Sequence, residues 1–280
     1  MDLKYDPVSY VVAAGKPYHH LELSLTRAVA GLRSRADLTA DVVAMQNGDG
    51  SWPAGWKAGA PGSVPRTAAI IPLLFRAGAA DAARKGAAWL AATQRADGGF
   101  CENAALADTL QPEWEWFSAE HPVTWITGAA VVSLTTVGGY DDAVIRARDL
   151  LLRARNAEGG WPGQVTAAFK NRTDLWAIPE VVQGLLAAGV AANHDVFRDL
   201  MSALARYRKG WRDPIANPLP ALLALGRRLS SPEVQETLQL LVGTQNGDGG
   251  WPYLAGGDSH ADPTTAFVAL FGRYGLLAAR

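Results

Sequence analysis

The sequence predicts a single all-α domain over residues 1–280: an α/α toroid of about six inner and five to six outer helices, built from about five helix-pair repeats. Three observations predict it. First, a glycine turn closed by a large aromatic recurs: MQNGDGSW ends at Trp52, TQRADGGF at Phe100, RNAEGGW at Trp161 and TQNGDGGW at Trp251, with a degenerate copy, ALARYRKGW, ending at Trp211. Their separation of roughly 40 to 60 residues is that of a unit made of two helices and a loop. Second, an amphipathic, charged segment precedes each of the later turns. Third, the segment after each turn is apolar nearly all round. A helix apolar on every side must be covered on every side, so the alternation implies one ring of helices inside another.

Taken in order, LELSLTRAVAGLR (21–33) supplies the first inner helix. The Trp52 turn leads into the inner segment TAAIIPLLFRAG (67–78), followed by the outer segment DAARKGAAWLAATQ (81–94). The Phe100 turn leads to VTWITGAAVVSLTTVG (123–138) and DDAVIRARDLLLRAR (141–155). DLWAIPEVVQGLLAAG (174–189) and DVFRDLMSALARYR (195–208) follow the Trp161 turn. PIANPLPALLALG (214–226) and PEVQETLQLLVGTQ (232–245) follow Trp211, and PTTAFVALFGRYG (263–275) closes the set. In the fourth outer segment Val234, Leu238, Leu241 and Val242 keep helical spacing. Gly or Asn in each turn accepts the left-handed backbone that stops a helix. Pro72, Pro179 and Pro218 lie within inner segments, where a proline costs about 3 kcal/mol, and predict kinks or late helix starts.

Composition removes several function classes. A net charge of −1, with no Lys/Arg run, gives no electrostatic footprint for nucleic acid. One cysteine, Cys101, rules out an intramolecular disulfide framework. No signal-peptide pattern opens the chain and no uninterrupted apolar run is long enough for an integral membrane segment. The expectation is a soluble, cytoplasmic protein, with the oligomeric state left open. Ser-His-Asp catalysis, phosphate loops and redox cysteine pairs find no support.

KGAAWLAATQRADGGF (85–100) resembles the QW motif of squalene-hopene and terpene cyclases, through Lys85, Gly86, Trp89, Leu90, Gln94, Gly98 and Phe100. Gln46, Gly50 and Trp52, and Gln245, Gly249 and Trp251, repeat its core; the third copy keeps Arg146, Ala147, Gly159 and Trp161 but has Arg155 in place of Gln. The copies span most of the chain. The resemblance, to the toroid superfamily of terpene cyclases and protein prenyltransferases, implies that Gln and the aromatic stack at the outer rim and tie repeats together. It also implies an isoprenoid substrate in the central cavity.

The chemistry of that superfamily is harder to find. Class II cyclases carry an Asp-x-Asp-Asp motif on an inner helix; the comparable starts here, GSVPRTAAII (62–71) and SHADPTTAF (259–267), lack it. Asp141 and Asp142 begin a Mg²⁺-type carboxylate cluster, but Ile145 interrupts it, and carboxylates favour a helix start in any case. The Asp, Cys and His zinc site of the prenyltransferases is not assembled either, and the turn carboxylates lack the further ligands of a calcium loop. No metal and no cofactor are expected.

Candidate chemistry therefore falls on what does not repeat. The connection CENAALADTLQPEWEWFSAEHPVTW (101–125) sets Glu102, Asp108, Glu113, Glu115, Glu120 and His121 among Trp114, Trp116, Phe117 and Trp125. Long loops in compact domains are often functional, and carboxylates beside tryptophan are placed to have raised pKa values; a lid with solvated acids is the plainer reading. Glu113, Glu115, Glu120 and His121 are candidate acids or bases, with Trp116, Phe117, Trp125 and Trp176 as aromatic walls. Arg66, Asp174, Asp213, His260 and Asp262 stand at inner-helix starts and are candidate substrate-binding residues. The aspartates also fit capping, whereas Arg66 gains nothing from the helix dipole and suits an anion or a cavity carboxylate. Glu180 and Gln183 interrupt an apolar helix. Glu180, a further catalytic candidate, is either paired with Arg66 or Arg172, or faces a wet cavity.

These features predict an enzyme acting on a small hydrophobic, isoprenoid-derived substrate by acid- or base-assisted cyclisation or isomerisation. The alternatives are a terpenoid or lipid carrier or scaffold without chemistry, and a lyase or hydrolase of another substrate class.

Overall fold

The computed structural model describes residues 3–26, 33–109 and 117–276, and across them it holds twelve α-helices and no β-strand. Six form an inner ring: α2 (Pro17–Ser24), α4 (Val64–Arg76), α6 (Thr124–Val137), α8 (Ile178–Ala187), α10 (Leu219–Ala224) and α12 (Ala261–Arg273). Six lie outside: α1 (Pro7–Ala14), α3 (Arg35–Ala44), α5 (Ala80–Ala92), α7 (Asp141–Ala154), α9 (Asp195–Arg206) and α11 (Pro232–Gly243). Successive inner helices pack on one another from α2 to α10, and α12 returns to pack against α2. Each connection reverses the chain, so the inner helices run parallel and all start at one end. No described helix is long and apolar enough to cross a membrane.

The recurring turn is the fastener. Trp52, Phe100, Trp161 and Trp251 are fully buried. The aromatic sits between an outer helix and the following inner helix, where its whole surface leaves water. The last four carbonyls of a helix lack an intrahelical donor, and a buried indole N–H needs an acceptor. One bond satisfies both. The Nε1 atoms of Trp52, Trp161 and Trp251 each donate to a last-turn carbonyl of the preceding outer helix, of Val42, Leu151 and Leu241, at 2.7 Å. The backbone amides of Trp52, Phe100 and Trp251 donate to the hydroxyls of Thr67, Thr127 and Thr264 on the following inner helix. In the degenerate copy the Trp211 indole N–H finds no partner among the described residues.

Glutamine ties each unit to the next. The side-chain amides of Gln46 and Gln94 donate both to their own turn, at the carbonyls of Gly50 and Gly98, and to the next outer helix, at those of Ala82 and Ala143. Gln245 does the same with the beginning of the chain: it donates to the carbonyls of Gly249 and Tyr5 and accepts from the Tyr5 amide. Where Arg155 replaces glutamine, a 2.6 Å ion pair with Asp199 of α9 makes the tie. Asp49, Asp97 and Asp248 accept the backbone amide two residues on, so the turn carboxylates serve the turn itself.

Glycine is required at two levels. Gly50, Gly98, Gly159 and Gly249 have φ of 103°, 96°, 91° and 90°. A Cβ on each would also lie 2.3–2.7 Å from a backbone carbonyl oxygen of the next unit, that of Lys85, Arg146, Asp199 or Asp6.

Proline shapes the inner ring as predicted for two of three positions. Pro179 sits in the first turn of α8 and Pro218 caps α10, each preceded by a one-turn 3₁₀ segment, Leu175–Ala177 and Pro214–Ala216. Pro72 stays inside α4 and deprives the Ala68 carbonyl of its donor. The Ser133 hydroxyl of α6 donates to that carbonyl instead. The first inner helix begins at Pro17, four residues before the segment read from the sequence; residues 27–32 of that segment lie outside those described.

Gly98→Ala is expected to cost about 2–4 kcal/mol in urea unfolding, from strain plus the clash with Arg146. Gly78→Ala, at φ 91° with open space around it, should cost only about 1 kcal/mol. Equal losses would refute the close-approach account.

Candidate functional site

The fastener supplies an internal ruler. In four units the amide that opens the inner segment donates to the carbonyl of the buried aromatic: Ser63 to Trp52, Val123 to Phe100, Asp174 to Trp161 and His260 to Trp251. Counting forward from these makes Pro65, Trp125, Trp176 and Asp262 equivalent. One turn deeper the set is Ala69, Ala129, Glu180 and Ala266. At the far end it is Arg76, Thr136, Ala187 and Arg273. The first eight residues retain accessible surface while most of their helix neighbours are buried, so these two sets face the space enclosed by the inner ring; the last four stand at helix ends, where their neighbours are accessible too.

At the mouth, Asp262 of α12 collects partners from two other inner helices and a turn. Its Oδ1 accepts from the Tyr18 hydroxyl at 3.1 Å, His19 Nε2 at 2.9 Å and Arg66 Nη1 at 3.3 Å; Oδ2 accepts from the Tyr253 hydroxyl at 3.1 Å. The Arg66 guanidinium lies 4.4 Å from the centre of the Tyr18 ring, and Trp56 packs on its other neighbour side at 5.0 Å. Trp56 has φ 58°, the one described non-glycine residue with positive φ, so the turn holds this indole in a strained backbone. Burial opposes ionisation of Asp262, but the His19 hydrogen bond and the Arg66 charge outweigh it and hold the carboxyl well below its usual range. The Nδ1 of His19 accepts the Lys16 amide at 2.9 Å, which fixes the proton on Nε2. Burial lowers the His19 pKa against the pull of Asp262, so the ring stays a neutral donor.

Deeper, the balance reverses. Glu180 occupies the level where three other units have alanine. Arg66 is engaged by Asp262, and Arg172 lies 2.5 Å from Asp174, so neither proposed cation reaches Glu180. The side chain sits deep in the protein yet keeps accessible surface, and burial pushes its pKa up to about 7. Gln183, one turn on, is turned back to the Pro179 carbonyl. Glu22 of α2 is likewise pushed up to about 7 by burial, with Arg76 and Arg273 pulling the other way.

The other candidates are dispersed. Glu113, Glu115 and Trp116 lie outside the described residues. Glu120 and His121 are exposed, their amides held by the Ser118 hydroxyl. Phe117 packs edge-on against Trp125 at 5.6 Å, and Gln164 donates to its carbonyl. Glu102 fastens the long loop to α4: it accepts the Ser63 hydroxyl and the Val64 and Asn103 amides at 2.8 Å each. Asp174 accepts the Gly163 amide, a glycine against which Trp176 closes. Asp213 accepts the Ala255 amide, and exposed His260 packs its ring on Tyr253 at 4.6 Å. No group of three or more His, Cys, Asp or Glu among the described residues is placed to hold a metal ion.

Tyr18, His19, Glu22, Trp56 and Tyr253 escaped the sequence reading. Pro17 was the available signal for the first two: a proline in the first turn moves the start of α2 ahead of Tyr18 and His19.

The fold is an all-α toroid of the terpene-cyclase-like kind. No family model and no curated protein matches the sequence. Solved structures do match the fold. A protein from Actinoplanes is 18% identical with a TM-score of 0.63, over 93% of this chain and 89% of its own. The type II terpene cyclase MstE from Scytonema is 15% identical with a TM-score of 0.62, over 93% and 87%; it has been seen with geranylgeranyl dihydroxybenzoate as substrate. A GH76 α-mannanase from Bacteroides thetaiotaomicron, 11% identical with a TM-score of 0.55 over 97% and 85%, has the same architecture.

The neutral His19 predicts a pH effect of fixed sign. Its folded pKa lies below the unfolded 6.5, so stability is retained above that value and falls as pH drops through it, because the unfolded chain takes up the proton first. Nitrogen-resolved NMR should find His19 protonated on Nε2 and titrating below 6.5; an imidazolium above that pH would dismantle the network as described.

Proposed function

We propose that this protein is a terpene-cyclase-like enzyme that holds a hydrophobic, isoprenoid-derived substrate in the central cavity and cyclises or isomerises it, with Glu180 as the acting acid or base. One observation carries the reading. An unpaired carboxyl group stands on the cavity wall at the level where the other units have alanine, and burial keeps its pKa near the pH at which it can both give and take a proton. The substrate class draws support from MstE, a similar fold seen in complex with geranylgeranyl dihydroxybenzoate as substrate.

The pKa narrows the chemistry. Protonating an isolated alkene demands a strong acid, and a carboxyl group raised to about 7 is a weak one. Glu180 suits a group that meets the proton part-way, such as an epoxide oxygen or a conjugated enol, or the removal of a proton from an allylic position or carbocation. Trp176, one turn above it, and Trp125 on the neighbouring helix offer aromatic surface to developing positive charge. Asp262 is ionised and fully engaged, which makes it and Arg66, Tyr18, His19 and Tyr253 positioning residues at the mouth. Glu120 and His121 stand in water and rank behind Glu180 as acid or base.

Mass-spectrometric analysis after incubation with prenyl diphosphates, squalene, its epoxide and prenylated aromatic acids tests the proposal. Glu180→Gln should lower kcat by about 10² or more at near-constant KM. An unchanged kcat would end the assignment, and saturable binding without turnover would favour a carrier.

Glu180→Ala copies the other units and should fold. Because the folded pKa of Glu180 is raised, wild-type stability falls as pH rises from about 4.5 to about 7. The alanine variant should escape that fall, matching wild type near pH 4 and exceeding it by up to about 3 kcal/mol near pH 8.

A further inference from the structure

The cavity wall carries a second carboxyl group, and the mouth network fixes where it stands. Tyr18 and His19 of α2 both reach the Oδ1 atom of Asp262, and the Arg66 guanidinium lies over the Tyr18 ring. These contacts turn one face of α2 toward the cavity. Glu22 follows Tyr18 by four residues and His19 by three, the spacings that put side chains on one helix face. It keeps accessible surface between Leu21 and Leu23, which are fully buried. Glu22 therefore faces the enclosed space about 5 Å below the His19 level.

Glu180 lies at a similar depth, since it follows Trp176, the equivalent of Asp262, by four residues, or about 6 Å of helix. In the ring α2 and α8 stand opposite one another, with α4 and α6 between them on one side and α12 and α10 on the other. At that depth Ala69, Ala129 and Ala266 form the wall of α4, α6 and α12. Burial raises both carboxyl groups to about 7, and neither acts on the ionisation of the other, as befits groups with open space between them. Their surroundings differ. Glu22 feels the charges of Arg76 on α4 and of Arg273 and Asp262 on α12, and the two arginines favour its ionised form. Arg35 of α3 is turned to the Ser24 carbonyl, and α1 carries no charged side chain. Around Glu180, α6 and α10 carry no titratable residue and no charge on α7 bears on it, so nothing draws its proton away.

We infer that Glu22 is a second catalytic residue: Glu180 gives a proton to the substrate at one wall of the cavity, and Glu22 takes a proton from it at the opposite wall. With an epoxide, the Glu180 proton goes to the oxygen as its C–O bond breaks, leaving a hydroxyl group and a carbocation. Alkene electron pairs of the chain form new C–C bonds and carry the cation away from Glu180. Glu22 then removes a proton from the carbon beside the final cation, and the C–H electron pair closes an alkene. The substrate gains one proton and loses one. Glu180 ends as a carboxylate and Glu22 as a carboxylic acid, and exchange with water resets both. The inference rests on the reading of Glu180 as the proton donor in an isoprenoid cavity, and adds the base and its place.

Two readouts on the full chain test it. The first needs no turnover: carboxyl-carbon NMR of protein labelled at glutamate, titrated with geranylgeranyl dimethylamine, whose ammonium end stands in for the final cation. The resonances of Glu22 and Glu180, assigned with the variants, should both shift as one equivalent of amine binds. Glu22→Gln should weaken the amine about tenfold near neutral pH and leave the binding of geranylgeraniol unchanged. The second readout is the pH dependence of kcat on the polyene that is turned over, which should be bell-shaped. Glu22→Gln should lower kcat about 10²-fold at near-constant KM and abolish the acid limb alone. Glu180→Gln should abolish the alkaline limb, and Glu22→Asp should recover part of the rate with the acid limb. Thermal unfolding of each variant separates loss of chemistry from loss of fold. A Glu22 resonance that ignores the amine, or an acid limb that survives Glu22→Gln, would overturn the role of Glu22 and leave that of Glu180 standing. If neither carboxyl group responds to the amine, both readings fall.

Discussion

The whole ring hangs on a buried indole N–H bonded to the last-turn carbonyl of an outer helix. Each partner has few alternatives. The carbonyl lies in the last turn, where the regular donors of the helix run out, and the indole has been carried out of reach of water by burial of the ring. Around this bond the turn is over-determined: a glycine with positive φ, a carbonyl of the next unit pressed against it, a threonine hydroxyl from the inner helix and a glutamine amide bridging two units. The fastener thus fixes the distance between rings and the register between repeats. That register places Glu180, Ala69, Ala129 and Ala266 at one depth.

The same cavity drives two carboxyl groups in opposite directions. Asp262 meets four donors and is held ionised; Glu180 meets none from a cation and is held near neutral pH. Burial acts on both with the same sign. What separates them is whether the neighbouring helices bring hydrogen-bond donors and charge to the site. An inner ring of six parallel helices offers every depth to several chain segments at once, so electrostatic character can change within one or two turns.

The fold was legible because its signals are periodic. Turns ending at Trp52, Phe100, Trp161 and Trp251, and helices alternately amphipathic and apolar, repeat often enough to outweigh local ambiguity. Proline gave the late starts of α8 and α10, yet Pro17 was passed over, and with it Tyr18 and His19. The mouth network was illegible for a deeper reason: it joins residues 18 and 19 to residue 262, a proximity created only when the ring closes. Glu180 stood out as a charge on an apolar helix, and the structure adds that the cations considered for it are engaged elsewhere. The acids nearest the tryptophans in sequence attracted attention through composition, whereas Glu102 among them is occupied in capping α4.

Gln245 clasps Tyr5 as Gln46 clasps the outer helix that follows it. Unlike the successive inner helices from α2 to α10, α12 meets α1 and α2 with no peptide continuity between them. Their boundary is a zip. At the outer edge it is fastened by Gln245, after α11, on Tyr5, ahead of α1, and at the inner edge by Asp262 of α12 with Tyr18 and His19 of α2. An open solenoid can fray from either end; this ring has no free end while the zip is shut, and its repeats stand or fall together. The wall beside the mouth is then the one part of the cavity whose integrity depends on side chains alone.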